Sequence, residues 1–175
     1  EESGKTYCIE IVDENRKVKG LGIINSHQVL SQLNHGDIVE ICSKNLVVVS
    51  PRLPEVIASM KRRAQTISDK DAGVLISKLG IGAGDQILEA GLGSAGLSLH
   101  LCRVLGQSGE LHTAESRSEH SAVGLENLER ARNLWTDFPN HVHHDSSVED
   151  AAKNLANDGL SFEAIILDLP DHTPA

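Results

Sequence analysis

Residues 86–96, Gln-Ile-Leu-Glu-Ala-Gly-Leu-Gly-Ser-Ala-Gly, constrain the fold of this chain more than any other stretch. A short apolar run, Ile87-Leu88, leads into Gly91-x-Gly93-x-x-Gly96, and helix-forming residues follow from Leu97 to Leu105. Strand, glycine turn and helix in that order form the opening unit of a nucleotide-binding α/β sheet. A glycine pattern alone also serves as a plain tight turn, so the residues around it must decide the ligand.

The deciding residue is Glu89, a carboxylate two positions before the turn. A dinucleotide would place its pyrophosphate against that turn, where backbone N–H groups and the helix N-terminus favour negative charge. A carboxylate about 5 Å from a phosphate opposes this by roughly 3 kcal/mol at an effective dielectric near 20. S-adenosylmethionine (SAM) carries no phosphate but has a sulfonium and an ammonium cation. Glu89 suits that ligand, either by direct contact or by bracing the loop through backbone N–H groups. Glu115 closes the next strand, Glu110-Leu-His-Thr-Ala-Glu115, about 20 residues after the turn, where an acid accepts both hydroxyls of a ribose. A nicotinamide-dependent oxidoreductase is the competing reading, and Glu89 opposes it.

The remaining pattern alternates strands and helices. A helix is expected from Asp69 to Leu79, with Ser68 and Asp71 spaced as a capping box. Strand 86–90, helix 94–105, strand 110–115 and a long helix from Ser118 to about Trp135 follow. Strand 141–143, helix 148–156 capped by Ser147 and Asp150, and strand 162–168 complete the series. Such alternation implies right-handed crossovers and a parallel sheet, with ligands at the carboxyl ends of the strands. Glu89, Glu115, Asp145 and Asp168 all sit at such ends. His143-His144-Asp145 does not read as a metal site, because adjacent strand residues point to opposite faces.

Residues 1–50 read as a separate, small β-rich domain, with 51–175 as the α/β domain. Within the first, Tyr7–Val12 and Val18–Ile24 look extended. Ser26 is placed to cap a helix over 27–33, and strands 38–42 and 46–50 flank a turn at Ser43-Lys-Asn45. Pro51 and Pro54 mark the boundary, and a helix is expected from there to Arg63.

Composition narrows the function classes. The chain has 175 residues and is 39% hydrophobic but only 2% aromatic, so its core must be aliphatic. A net charge of −9 excludes general attraction to polyanions, leaving nucleic-acid contact to a local patch. Lys61-Arg62-Arg63 is one such patch, or else a dipole-favourable helix end. Three widely spaced cysteines fit a reducing cytoplasm rather than a disulfide framework or zinc site. No apolar run reaches membrane length.

From Pro51 onward the chain resembles the tRNA (adenine-N1)-methyltransferases that modify the T-loop, especially the archaeal members. The likeness is carried by Met60-Lys-Arg-Arg-Ala-Gln65-Thr-Ile-Ser-Asp-Lys-Asp71-Ala-Gly and Gly84-Asp-Gln-Ile-Leu-Glu-Ala-Gly-Leu-Gly-Ser94. It continues through Gly109-Glu-Leu-His-Thr-Ala-Glu115 and Leu167-Asp-Leu-Pro-Asp171. The resemblance implies a Rossmann-like, SAM-dependent methyltransferase sheet preceded by a small β module, a tRNA substrate and a homotetramer in the cytoplasm. Gly91, Gly93, Ser94, Ala95, Gly96 and Leu97 would then line the methionine end of SAM. Glu115 would hold the ribose, His120 would lie near the adenosine, and Asp145 would meet the adenine amino group unless its histidine-flanked segment is only a solvated loop. Gln65 and Thr66 would cover the cofactor, and Asp168 would be the catalytic carboxylate.

Three departures stand out. Ser68 replaces the family's aromatic residue or His, which contacts the target base, and Asp69 replaces Pro. Ala95 replaces a frequent Gly, a small change at a negative φ. The chain also stops at Ala175, where a member would continue with further strands, so part of the sheet is expected to lie outside it. These departures motivate a second reading, a non-catalytic methyltransferase-like subunit that binds SAM or tRNA.

Overall fold

The computed structural model describes residues 6–169. They divide into two compact units, one ending at Ser59 and the other beginning at Met60.

The first unit carries two antiparallel hairpins. Strands β1 (Asn15–Val18) and β2 (Gly22–Asn25) form one, and β3 (Ile38–Ile41) and β4 (Lys44–Val47) the other. Leu21, Ile24 and Ile41 make its small core. The second hairpin turns at Cys42-Ser43, both at positive φ (51° and 61°), and not at Ser43–Asn45 as expected. A two-residue turn matches strand twist best with both residues left-handed, a demand these side chains do not announce. Helix α1 (Ser26–Leu30) is capped by Asn25, whose side chain accepts from the Gln28 amide. Ser26 is instead buried, accepting from Val12 N at 2.9 Å and donating to the Glu10 carbonyl at 2.7 Å. Those bonds hold residues 10–12 as an irregular segment, so the expected strand over 7–12 does not form. Helix α2 spans Leu53–Ser59 and stops short of Arg63.

The second unit is the α/β sheet. Helix α3 (Asp69–Leu79) begins at the Ser68 cap, which accepts from Asp71 N at 3.2 Å, and ends on left-handed Gly80. The succession is then β5 (Gln86–Ala90), α4 (Gly96–Leu105), β6 (Glu110–Ala114), α5 (Ser118–Leu134), β7 (Asn140–His144), α6 (Val148–Asn157) and β8 (Ala164–Leu167). The four strands are parallel in the order β7-β6-β5-β8. The chain therefore works outward from β5 to β7 and returns to β8 on the other side of β5. This reversal is the topological switch point where such sheets hold their ligands.

Alternation along the strands sets the two layers. Leu88 and Ala90 of β5 and Ala114 of β6 meet Ala151 and Leu155 of α6 on one face. Helix α4 packs against β6, α3 and α5, with Leu97, Leu99, Leu101, Cys102 and Leu105 buried. Burial of these aliphatic side chains, about 1.5–3 kcal/mol each, is the main force holding the sheet to its helices.

Between β6 and β7 the pairing is polar. Thr113 Oγ1 lies 2.9 Å from both His141 Nε2 and His143 Nδ1. On the other face His112 stacks on His144, with 5.3 Å between ring centroids, and its Nε2 lies 2.6 Å from Glu110. Burial, with a smaller contribution from Arg132 and the neighbouring histidines, pushes the His141 imidazole down to about 4. It stays neutral in the fold but takes a proton in the unfolded chain below about 6.5. Stability should therefore be complete above pH 6.5 and lost as pH falls toward 4. Thermal melts from pH 7 to 4 should show His141→Gln reducing that loss by about 2 kcal/mol, allowing for the ring's partial exposure.

Candidate functional site

The ends of β5 and β8, the glycine turn and the segment before α3 enclose a crevice of about 390 Å³. Gly91, Gly93, Ser94, Gly96 and Leu97 form one wall, and Gln65 and Thr66 close it from above. Glu89 and Asp168 face it from adjacent strands. Nine of the residues expected at a cofactor or catalytic position thus meet in one cavity. Ala64, Ile67, Leu92, Arg117 and Leu169 also line it and were not singled out from sequence.

Four expected residues lie outside that lining. Ala95 is fully buried and acts through the backbone, at the N-cap position of α4. Glu115 sits behind the turn, its Oε2 accepting from Gly93 N at 3.3 Å. His120 is in the first turn of α5, with a buried Nδ1 that has no partner among the described residues. Asp145 is exposed at the bend after β7. Pro170 and Asp171, the end of the Asp-Leu-Pro-Asp motif, lie outside the described residues.

Glu89 is the electrostatic centre of the crevice. It is 1% exposed, and its Oε2 has no hydrogen-bond partner among the described residues. Burial pushes its carboxyl up to about 8. Asp168 adds to the rise, and the nearby Ser98 hydroxyl, which forms no geometrically sound hydrogen bond, offsets only part of it. Because the folded carboxyl stays protonated where the unfolded chain's ionises, burying Glu89 lowers stability by about 1.4 kcal/mol for each pH unit above its ordinary value, until the folded pKa is reached. A cationic group in the crevice removes that cost, whereas a phosphate adds to it. The residues therefore fit SAM, and fit a pyrophosphate poorly.

Glu115 shows the opposite balance. Burial raises its pKa, but the Arg117 side chain and amide and the Gly93 amide outweigh this and hold it below the usual range. Arg117 Nε donates to Oε1 at 2.8 Å and Nη2 to Oε2 at 3.0 Å, a bidentate pair.

The turn itself is tightly built. Ala95 adopts φ +63°, ψ +27°, so the premise of a negative φ at this position is overturned. A left-handed alanine costs roughly 1–2 kcal/mol, a cost that glycine would avoid. Among the described residues no side chain caps α4, whose first residues, Gly96 and Leu97, line the crevice. Helix α5 presses on the turn through Gly124, where a Cβ would lie 2.6 Å from Leu92 Cγ and 2.9 Å from the Gly93 carbonyl.

The basic run is not a helix end, since α2 has stopped at Ser59. Lys61 pairs with Glu126 and Arg63 with Glu119, both on α5. Among the described residues Arg62 makes no ion pair. Ser68 is consumed as a helix cap, donating to Asp71 Oδ2 at 2.7 Å.

The comparisons agree with this architecture. The profile of the family described as the tRNA methyltransferase complex GCD14 subunit matches residues 45–175, and the chain belongs to that family. The Thermus thermophilus tRNA (adenine(58)-N(1))-methyltransferase TrmI is 32% identical over 139 residues, covering 78% of this chain and 53% of that protein. The Methanocaldococcus jannaschii tRNA (adenine(57)-N(1)/adenine(58)-N(1))-methyltransferase TrmI is 29% identical over 140 residues, covering 71% and 50%. The chain thus spans about half the length of the curated relatives it matches. In fold it is similar to a SAM-dependent O-methyltransferase from Thermotoga maritima, with a TM-score of 0.73, 24% identity and 97% and 60% of the two chains covered. It is likewise similar to the tRNA (m1A58) methyltransferase TrmI from Aquifex aeolicus, with a TM-score of 0.66, 23% identity and 95% and 61% covered. The fold is thus the Rossmann-like one of SAM-dependent methyltransferases.

Two substitutions test the turn by urea unfolding. Ala95→Gly should stabilise by about 0.5–1 kcal/mol, the relieved strain less the extra chain entropy of glycine. Gly124→Ala should destabilise by about 2 kcal/mol, because backbone as well as Leu92 must move. An unchanged stability for Gly124→Ala would refute the close α5 contact.

Proposed function

We propose that this protein is a SAM-dependent methyltransferase that modifies N1 of a T-loop adenine in tRNA. The observation that carries the reading is the buried Glu89 carboxylate, whose Oε2 has no partner among the described residues, in a crevice of cofactor size at the sheet's switch point. Family membership and the TrmI relatives support the substrate class.

In this reading the first turn of α4 and Gly91–Leu97 hold the methionine end, with Glu89 facing its cations. Glu115, His120 and Asp145 take the adenosine end. Arg117 must then share or yield the Glu115 carboxylate to the ribose hydroxyls. Bound there, SAM supplies a methyl group on a sulfonium, an electrophile that needs no further activation.

The chain's own residues do the placing. Adenine N1 has a free lone pair at neutral pH, so no strong base is required; catalysis rests on alignment. The base must leave its stack to reach the crevice. Asp168, exposed at the crevice mouth, accepts an N–H of the exocyclic amine. That N–H grows more acidic as the ring becomes cationic, so the carboxylate stabilises the developing charge. Arg62, with Lys61 and Arg63 beside it, offers cations to tRNA phosphates. The reading carries with it a cytoplasmic, homotetrameric enzyme. Among the described residues no helix is long and apolar enough to cross a membrane.

Calorimetry should show SAM binding and no NAD binding. Tritiated methyl transfer to unmodified tRNA should fall about 100-fold in Asp168→Ala, with SAM affinity within about threefold of wild type. A protein that binds SAM tightly yet transfers no methyl group would favour the non-catalytic subunit instead. A folded protein that binds no SAM would overturn the whole reading.

A further inference from the structure

We infer that Asn127 of α5 is a positioning residue for the cofactor, acting as a clip that fixes residues 60–66 as a roof over the crevice. The inference rests on the SAM reading above, because the roof matters through Gln65 and Thr66.

Residues 60–66 have no regular secondary structure, so their backbone groups need partners from elsewhere. Asn127 supplies them from 66 positions away. Its Oδ1 accepts from Lys61 N at 2.9 Å, and its Nδ2 donates to the Lys61 carbonyl at 2.8 Å and to the Ser94 carbonyl at 3.0 Å. One side chain, 1% exposed, therefore ties the roof, the glycine turn and α5 together. Ser94 completes the clip, its Oγ accepting from both Arg63 N and Ala64 N at 3.0 Å. Farther along, Thr66 packs so close to Gly96 that a Cβ there would lie 3.0 Å from Thr66 Cβ.

The Lys61–Glu126 and Arg63–Glu119 pairs flank the clip but are exposed. Such pairs hold weakly and exchange with salt or phosphate. A buried amide with both donors and its oxygen engaged is directional, and removing it strands polar groups on both sides. The roof's position is therefore set by Asn127, and the ion pairs remain exchangeable. Nothing in this arrangement touches Asp168, so losing the clip should weaken cofactor binding and leave the chemical step alone.

The test compares wild type with Asn127→Ala and Asn127→Asp. The aspartate keeps the shape but turns a carboxylate toward two carbonyls. Both variants should raise the KM for SAM about 10-fold with kcat at saturation within about threefold. Trypsin should cut at Lys61, Arg62 and Arg63 about 10-fold faster in the variants, without SAM present. If neither variant folds, hydrogen exchange on the unaltered protein decides: the Lys61, Arg63 and Ala64 amides should be protected, and exchange at open-loop rates would overturn the clip. Folded variants with unchanged KM and unchanged cleavage would overturn it too. A wild type that binds no SAM would overturn the cofactor reading and this role with it, while the cleavage and exchange data would still report on the clip itself.

Discussion

A carboxylate buried beneath a glycine turn, with one oxygen left without a hydrogen-bond donor among the described residues, is the constraint around which this site is organised. Glu89 is held largely protonated at neutral pH, because burial outweighs the groups that could stabilise its charge. A stability optimum would replace it with an apolar residue. At the end of a central strand beside the crevice it carries a desolvation cost that a bound group can offset. A positively charged ligand does so directly, since each charge removes the other's desolvation cost.

The neighbouring carboxylates sit in different surroundings. Glu115 is kept ionised by Arg117 and the Gly93 amide, a state suited to accepting hydroxyls. Asp168 lies exposed at the opening of the crevice. The three acids thus differ in burial and partners, Glu89 within β5 and Glu115 and Asp168 just past the ends of β6 and β8. Helix α5 holds the arrangement from outside, pressing on the turn at Gly124 and gripping the covering segment with Asn127, one helical turn further on.

The order acid, glycines, helix, strand, acid made the sheet and the crevice legible, because each step is a local pattern with a local physical cause. The Ser68–Asp71 cap and the extent of α3 were read for the same reason. Long-range contacts were not legible. Asn127 lies within a helix that the sequence marks only by its extent, and its partners lie 33 and 66 positions away. Arg117 gave no signal beyond its nearness to Glu115. Residues 7–12 alternate like a strand, yet Ser26 captures their backbone, a competition that alternation does not reveal. The left-handed Ala95 also escaped, because its conformation is imposed by the turn against the residue's own preference.

The central claim is that Glu89 changes its protonation state when a cation enters the crevice. Calorimetric titration of SAM at pH 7 in phosphate and in Tris, whose ionisation enthalpies differ widely, reads proton release directly. About one proton should leave per SAM bound by the wild type, and none in Glu89→Gln. Tight binding with the same apparent enthalpy in both buffers would contradict the account.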